Sequence, residues 1–228
     1  MLRGGPVNLP ATQHGAELVG AGGTVGVVLL HDIYGRGAYL RSVAQALLAA
    51  GVPSAAVDLF GGATPTTREE GLRLGSTVTE NDALEAMEEA RVALAARLTG
   101  PARVGTLGFC MGGGYALLGA CRRPFDFAVD FYGRVDRADD VSGLRGPLLL
   151  LLGSEDERIT PWALQELLPA ARRAKKRVSL ELYPGAGHAF HRPGWEGHDA
   201  RAAADAWRRT LAFLSDVRGA GEPPPAHR

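Results

Sequence analysis

Apolar residues along this chain fall into two alternating patterns, short unbroken runs and longer stretches with helical spacing. The short runs are Val25–Leu30 (VGVVLL), Pro53–Asp58, Arg103–Leu107, Phe127–Phe131, Leu148–Leu152 and Arg177–Tyr183. Val25–Leu30 and Leu148–Leu152 are apolar at nearly every position, which predicts strands covered on both faces. Between the runs, Ala38–Ala50 places Leu40, Val43, Ala44, Leu47 and Leu48 on one helical face and stops at Gly51. Thr79–Leu98 is an amphipathic helix marked by Leu84, Met87, Val92, Leu94 and Leu98. Further helices are expected at Gly112–Cys121, Asp199–Val217 and Pro161–Ala174, the last begun by Thr160-Pro161.

Strands that alternate with helices call for a parallel sheet, because parallel neighbours need a crossover and a helix supplies it. The expectation is an α/β chain with one three-layer domain over residues 1–218 and a mostly parallel central sheet. The segment Gly61–Ser76 shows no clear period and is expected to line a pocket. Residues 219–228, rich in Pro and Gly, are expected to form a disordered tail.

Composition narrows the function more than the fold. A chain of 228 residues, 46% hydrophobic and 22% charged, can bury a core without help from a metal or disulfide. Its 25 basic residues balance 25 acidic ones, which leaves no basic footprint for nucleic acid. The first residues, MLRGGPVNLPATQHG, lack the apolar core of a signal peptide. No apolar stretch approaches the roughly 20 residues of a membrane helix. A cytoplasmic protein away from membranes is expected. Cys110 and Cys121 are too few for a disulfide framework. The histidines show no ligand spacing beyond His188-x-x-His191, read as a loop coincidence, so neither metal nor cofactor is expected. Nothing demands a partner subunit, and a monomer is expected.

The candidate chemistry centres on Gly108-Phe109-Cys110-Met111-Gly112, which stands between a predicted strand and a predicted helix. It is the nucleophile-elbow pattern G-x-S-x-G with cysteine as the nucleophile. The sharp turn strains the nucleophile and brings neighbouring backbone close, so bulk is excluded two residues before and after. The helix start beyond it favours a thiolate. The alternative for this segment alone is a buried, inert cysteine in a Gly-rich strand–helix turn. Two further residues shift the balance. His188 follows the last strand in Gly-Ala-Gly-His-Ala-Phe, and Asp156 follows Leu148–Leu152 with Glu155 and Glu157 as rival acids. Cys110, Asp156 and His188 thus occur in the nucleophile–acid–histidine order of α/β-hydrolases, each just past a strand end. The function expected is hydrolysis of a small ester or lactone.

From about Val25 to about Leu214 the chain resembles the dienelactone hydrolase family of α/β-hydrolases. The resemblance rests on Leu-Leu-His-Asp-Ile-Tyr-Gly (29–35), Asp-Leu-Phe (58–60), Gly-Phe-Cys-Met-Gly-Gly (108–113), Phe-Tyr-Gly (131–133) and Gly-His-Ala-Phe (187–190). It implies an α/β-hydrolase fold and a nucleophilic Cys110 assisted by His188 and Asp156. It further implies an oxyanion hole from the backbone N–H groups of Ile33 and Met111. The family's thiol-activating glutamate corresponds to Asp32, one methylene shorter. Its substrate-binding positions correspond to Arg192, Arg68 and Tyr132, while its pocket tyrosine near Arg68 is Leu72 here.

Cysteine also stands on an elbow in amidotransferase-like folds, which pair the histidine with a glutamate two residues later. Phe190 occupies that place in this chain. The alternatives kept are a thioesterase or general carboxylesterase of the same fold, and a non-catalytic scaffold that binds a small molecule.

Overall fold

Val25–Leu30 is buried along its whole length and lies inside a seven-stranded sheet with helices on both faces. The computed structural model describes residues 15–159 and 161–220. The chain begins with strands β1 (Glu17–Val19) and β2 (Val25–Leu30), helix α1 (Ala38–Ala49) and strand β3 (Ser54–Val57). Helices α2 (Arg68–Gly75) and α3 (Glu80–Ala95) follow, then β4 (Arg103–Phe109), α4 (Met111–Arg122) and β5 (Ala128–Phe131). After a 3-10 turn at Val141–Gly143 come β6 (Leu148–Gly153), α5 (Pro161–Arg173), β7 (Val178–Tyr183) and α6 (Ala200–Gly219).

The strand order is β1-β3-β2-β4-β5-β6-β7, with every pairing parallel except β1 on β3. The chain steps outward from β2 to β3, then returns across β2 to β4. That reversal makes the β2/β4 boundary the topological switch point, where α/β sheets open a crevice at the carboxyl ends of their strands.

Alternation along the strands accounts for the three layers. Val27 and Leu29 of β2 and Leu149 and Leu151 of β6 pack with α1 and α6. Val28, Leu30, Leu148, Leu150 and Leu152 point to the opposite face, against α3, α4 and α5. Each fully buried leucine of this kind contributes roughly 2 kcal/mol of transfer free energy. The helix ends follow local chemistry. Gly51, at φ +71°, ends α1 where a side chain would be strained. Thr79 accepts from the Asp82 N–H at 3.1 Å, and Asp199 from the Ala202 N–H at 2.9 Å.

The three-layer α/β-hydrolase architecture is as expected, with two additions. β1 covers the edge of β3, and α2 forms inside the segment read as irregular. Helix α5 begins at Pro161, while Thr160 lies outside the described residues. Helix α6 continues through Gly219, and the rest of the expected tail, 221–228, lies outside them too, as do 1–14. Among the described residues no helix is long and apolar enough to cross a membrane.

Candidate active site

Cys110 closes β4 and opens α4 with φ 55° and ψ −116°, a conformation that strains a non-glycine residue by about 1–3 kcal/mol. The packing around it explains the flanking glycines. A Cβ on Gly112 would meet the carbonyl oxygens of Leu30 and His31 at 2.5 Å. The Cys110 N–H donates to the Phe131 carbonyl at 2.9 Å, and its own carbonyl accepts from Gly113 and Gly114. The thiol is thereby held up at the carboxyl edge of the sheet, beside the switch point.

The β6 and β7 ends are zipped together, with Ser154 N–H donating to Tyr183 O and Glu155 N–H to Ala186 O, each at 3.0 Å. This brings Asp156 and His188 into line. His188 Nδ1–H donates to Asp156 Oδ2 at 2.8 Å, and His188 Nε2 lies 3.0 Å from Cys110 Sγ. Asp156 is buried and its second oxygen accepts from the Arg158 N–H at 3.0 Å, so the carboxylate is fixed at both oxygens. Burial opposes a charge on His188, but the hydrogen bonds to Asp156 and Cys110 outweigh it and push the imidazole up to about 9. Ala189, the next residue, has φ 61°. Cys121, eleven residues along α4, is buried, and burial pushes its thiol up to about 12.

A cavity of about 460 Å³ opens over the thiol, walled among others by Ile33, Leu72, Met111, Tyr132, Arg158 and His188. Ile33, in the loop after β2, and Met111, the first residue of α4, line the cavity with Cys110, and neither amide donates to an acceptor among the described residues. Such unspent donors beside a nucleophile suit an oxyanion. The Ile33 loop is tied down by His31. Its Nδ1–H donates to the Asp32 carbonyl at 2.6 Å, and its Nε2 accepts from Leu59 N–H at 3.0 Å.

Asp32 makes no hydrogen bond to Cys110. One of its oxygens accepts from the Tyr34 N–H at 2.8 Å and the other is paired with Arg192. Arg192 therefore joins the β2 and β7 loops across the site. Arg68 is exposed at the first residue of α2 and is not part of the cavity wall. Leu72 and Gly75 of the same helix and its C-cap Ser76 are, so the 61–76 segment reaches the pocket through its second half. Tyr132 is 1% exposed with φ 44°, and its ring stands edge-on to His188 at 5.3 Å. Its hydroxyl faces that of Tyr39 at 3.4 Å, and the Tyr39 hydroxyl is hydrogen-bonded with His191 Nδ1 at 2.8 Å. Burial pushes His191 down to about 4, which keeps the ring neutral near pH 7.

Sequence reasoning missed Arg158, whose Nη1 lies 3.9 Å from Cys110 Sγ, together with Glu80, Arg134 and Arg137, which also line the cavity. It also missed Asp130, a fully buried acid beneath the elbow. Burial pushes Asp130 up to about 8, against the Gly133 N–H that it accepts at 2.8 Å. Its Oδ1 fills the space where Gly113 and Gly133 would carry a Cβ. Among the described residues no group of three or more His, Cys, Asp or Glu side chains could hold a metal ion.

Residues 17–218 match the family model described as the dienelactone hydrolase family. Carboxymethylenebutenolidase of Pseudomonas putida is 27% identical over 203 residues, covering 84% of this chain and 86% of that one. A Saccharolobus solfataricus protein is 38% identical over 119 residues, 52% of this chain and 46% of its own length. Among solved structures, the dienelactone hydrolase-like promiscuous phosphotriesterase P91 from metagenomic libraries superposes with a TM-score of 0.76 at 24% identity, over 87% of this chain and 88% of that one. Dienelactone hydrolase of Anabaena variabilis does so at 0.64 and 24%, over 92% and 95%. At these identities the structural likenesses speak to the fold.

Proposed function

Because this chain belongs to the dienelactone hydrolase family, we propose that it is a carboxylic ester hydrolase that opens small esters or lactones through an acyl-thioester on Cys110. The observation that carries the reading is the continuous line Asp156–His188–Cys110, with contacts of 2.8 and 3.0 Å, at the floor of the cavity. Nucleophile, base and orienting acid stand in hydrogen-bond reach of one another, as acyl transfer requires.

In the first half-reaction the Cys110 thiolate pair forms a C–S bond to the carbonyl carbon, and the C=O π pair moves onto oxygen. The N–H groups of Ile33 and Met111 donate to that oxyanion. Collapse re-forms C=O and breaks the C–O bond, and the departing oxygen takes the proton from His188 Nε2. In a lactone the leaving oxygen stays on the same molecule as a hydroxyl or enol. In the second half, water gives a proton to Nε2 and its oxygen adds to the thioester. Collapse expels the thiolate and leaves a carboxylic acid. Asp156 accepts from Nδ1–H throughout and supports the imidazolium. Amides are poor substrates for such a site, since the thiolate leaves the tetrahedral intermediate more readily than an amine.

Wild type and Cys110→Ser are to be compared on p-nitrophenyl acetate and cis-dienelactone, with the acyl-enzyme trapped by intact mass. Turnover with acylation at Cys110, largely lost in the serine variant, is expected. Because Cys121 is buried, iodoacetamide is expected to add once, at Cys110. An unreactive Cys110 and no turnover of either ester would mean a binding scaffold.

A further inference from the structure

Arg158 differs from the other cations around the cavity in having no carboxylate partner among the described residues. Arg137 is paired with Glu80 at 2.8 Å, Arg134 with Asp136, and Arg192 with Asp32. Arg192 is committed further, its guanidinium carbon lying 4.5 Å from the Tyr34 ring centre and 4.9 Å from that of Tyr39. Its charge is spent on joining two loops. Arg158 is exposed, and its side chain reaches the nucleophile, Nη1 to Sγ, at 3.9 Å.

The backbone that carries Arg158 is held in place. Its N–H donates to Asp156 Oδ1 at 3.0 Å, and the Ile159 N–H donates to the Asp156 carbonyl at 3.1 Å. The turn that aims Asp156 at His188 therefore also fixes the root of the Arg158 side chain. Ile159 is buried, which anchors the far side of the turn. A guanidinium presents a planar fork that matches a carboxylate. An acyl carbon must come within about 3–3.5 Å of the sulfur to react. The unpaired fork thus sits beside the reacting carbonyl rather than at the far end of the cavity. In the wall Glu80 stands against Arg134, Arg137 and Arg158, so the local charge favours an anion.

We infer that Arg158 is a specificity-determining residue that recognises a carboxylate on the acyl part of the substrate, a few bonds from the scissile carbonyl. The inference rests on the acyl-transfer reading above. It places anion recognition on the loop of the acid and gives Arg192 a positioning role, holding the Asp32 and His188 loops together.

Mono-p-nitrophenyl succinate and p-nitrophenyl butyrate share a chain length and differ by the carboxylate. Wild type is expected to prefer the succinyl ester by at least about tenfold in kcat/KM, as an added ion pair at the transition state allows. Arg158→Gln is expected to bring that ratio to within about threefold of one, with Arg158→Lys in between, and unchanged urea midpoints would show that both fold. Added salt is expected to compress the wild-type ratio, since an exposed guanidinium is screened. An Arg158→Gln enzyme that keeps the wild-type ratio overturns the inference, including the case in which both esters suffer equally. So does a ratio that collapses in Arg192→Gln or Arg68→Gln but not in Arg158→Gln. Absence of Cys110-dependent turnover of both esters would instead defeat the acyl-transfer reading. Anion recognition is then judged by succinate protection of Cys110 from iodoacetamide, which wild type must show and Arg158→Gln must lose.

Discussion

Gly108→Ala tests whether the elbow geometry sets the reaction rate. A Cβ on Gly108 would lie 2.0 Å from the Gly112 oxygen, 2.3 Å from its carbonyl carbon and 2.7 Å from the Gly113 nitrogen. All three are backbone atoms of the first turn of α4, so no side chain can swing aside. Relief to a tolerable separation requires the strand and helix to part by at least about 1 Å. Cys110 stands between them and moves with the opening, which stretches its 3.0 Å contact with His188 beyond hydrogen-bond range. A displacement of about 1 Å costs roughly 10²-fold in rate, and overpacking of this kind about 1–3 kcal/mol in stability. Gly26→Ala is the control, since the three nearest atoms to its Cβ would all be side-chain atoms, Leu94 Cδ2 and Leu98 Cδ1 at 3.0 Å and Leu94 Cγ at 3.2 Å, which can yield. The assays are kcat/KM on p-nitrophenyl acetate and urea unfolding of both variants. A Gly108→Ala enzyme within about threefold of wild type would refute the reasoning, as would an equal loss in Gly26→Ala.

Asp156→Asn is expected to lower kcat by about 10²–10⁴-fold, and to bring the His188 titration down from about 9, both followed by steady-state kinetics and imidazole NMR. The same histidine predicts a pH dependence of stability. Its folded value of about 9 exceeds the ordinary imidazole value of 6.5, so the folded state holds the proton more tightly. The contribution is full below 6.5 and is lost as pH rises through about 9, on the order of 3 kcal/mol in all. Urea unfolding of wild type and His188→Asn across that window checks the sign, since only wild type is expected to lose this part.

The elements that sequence made legible are those whose burial is continuous. Val25–Leu30 and Leu148–Leu152 declare themselves because both faces are covered, and α1 and α3 because one helical face is apolar. β1 is three residues long and partly exposed, too short for any period to show. α2 carries glycines at 71 and 75 and buries almost nothing, yet its start was present in Thr67-x-x-Glu70, where Thr67 accepts from the Glu70 N–H at 3.2 Å. The line Cys110–His188–Asp156 could be anticipated because each residue sits at a strand end, and the elbow glycines answer to backbone contacts within a few residues. Asp32 and Arg192 are 160 residues apart, and no local pattern announces that they pair. The position of Arg158 depends on how the loop after β6 folds back over the thiol, which periodicity does not encode.

Helix α2 has one buried residue, Gly71, where a Cβ would lie 2.2 Å from the Ile33 carbonyl oxygen. The helix and its C-cap nonetheless lend Leu72, Gly75 and Ser76 to the cavity. For an engineer this makes α2 a cassette, a stretch of pocket lining that can be rewritten while the strands bearing the reactive groups stay as they are. Gly71 sets the limit of that freedom. Bulk added there pushes on the Ile33 carbonyl, so a redesign meant to alter selectivity would first disturb the residue whose amide is proposed to bind the oxyanion.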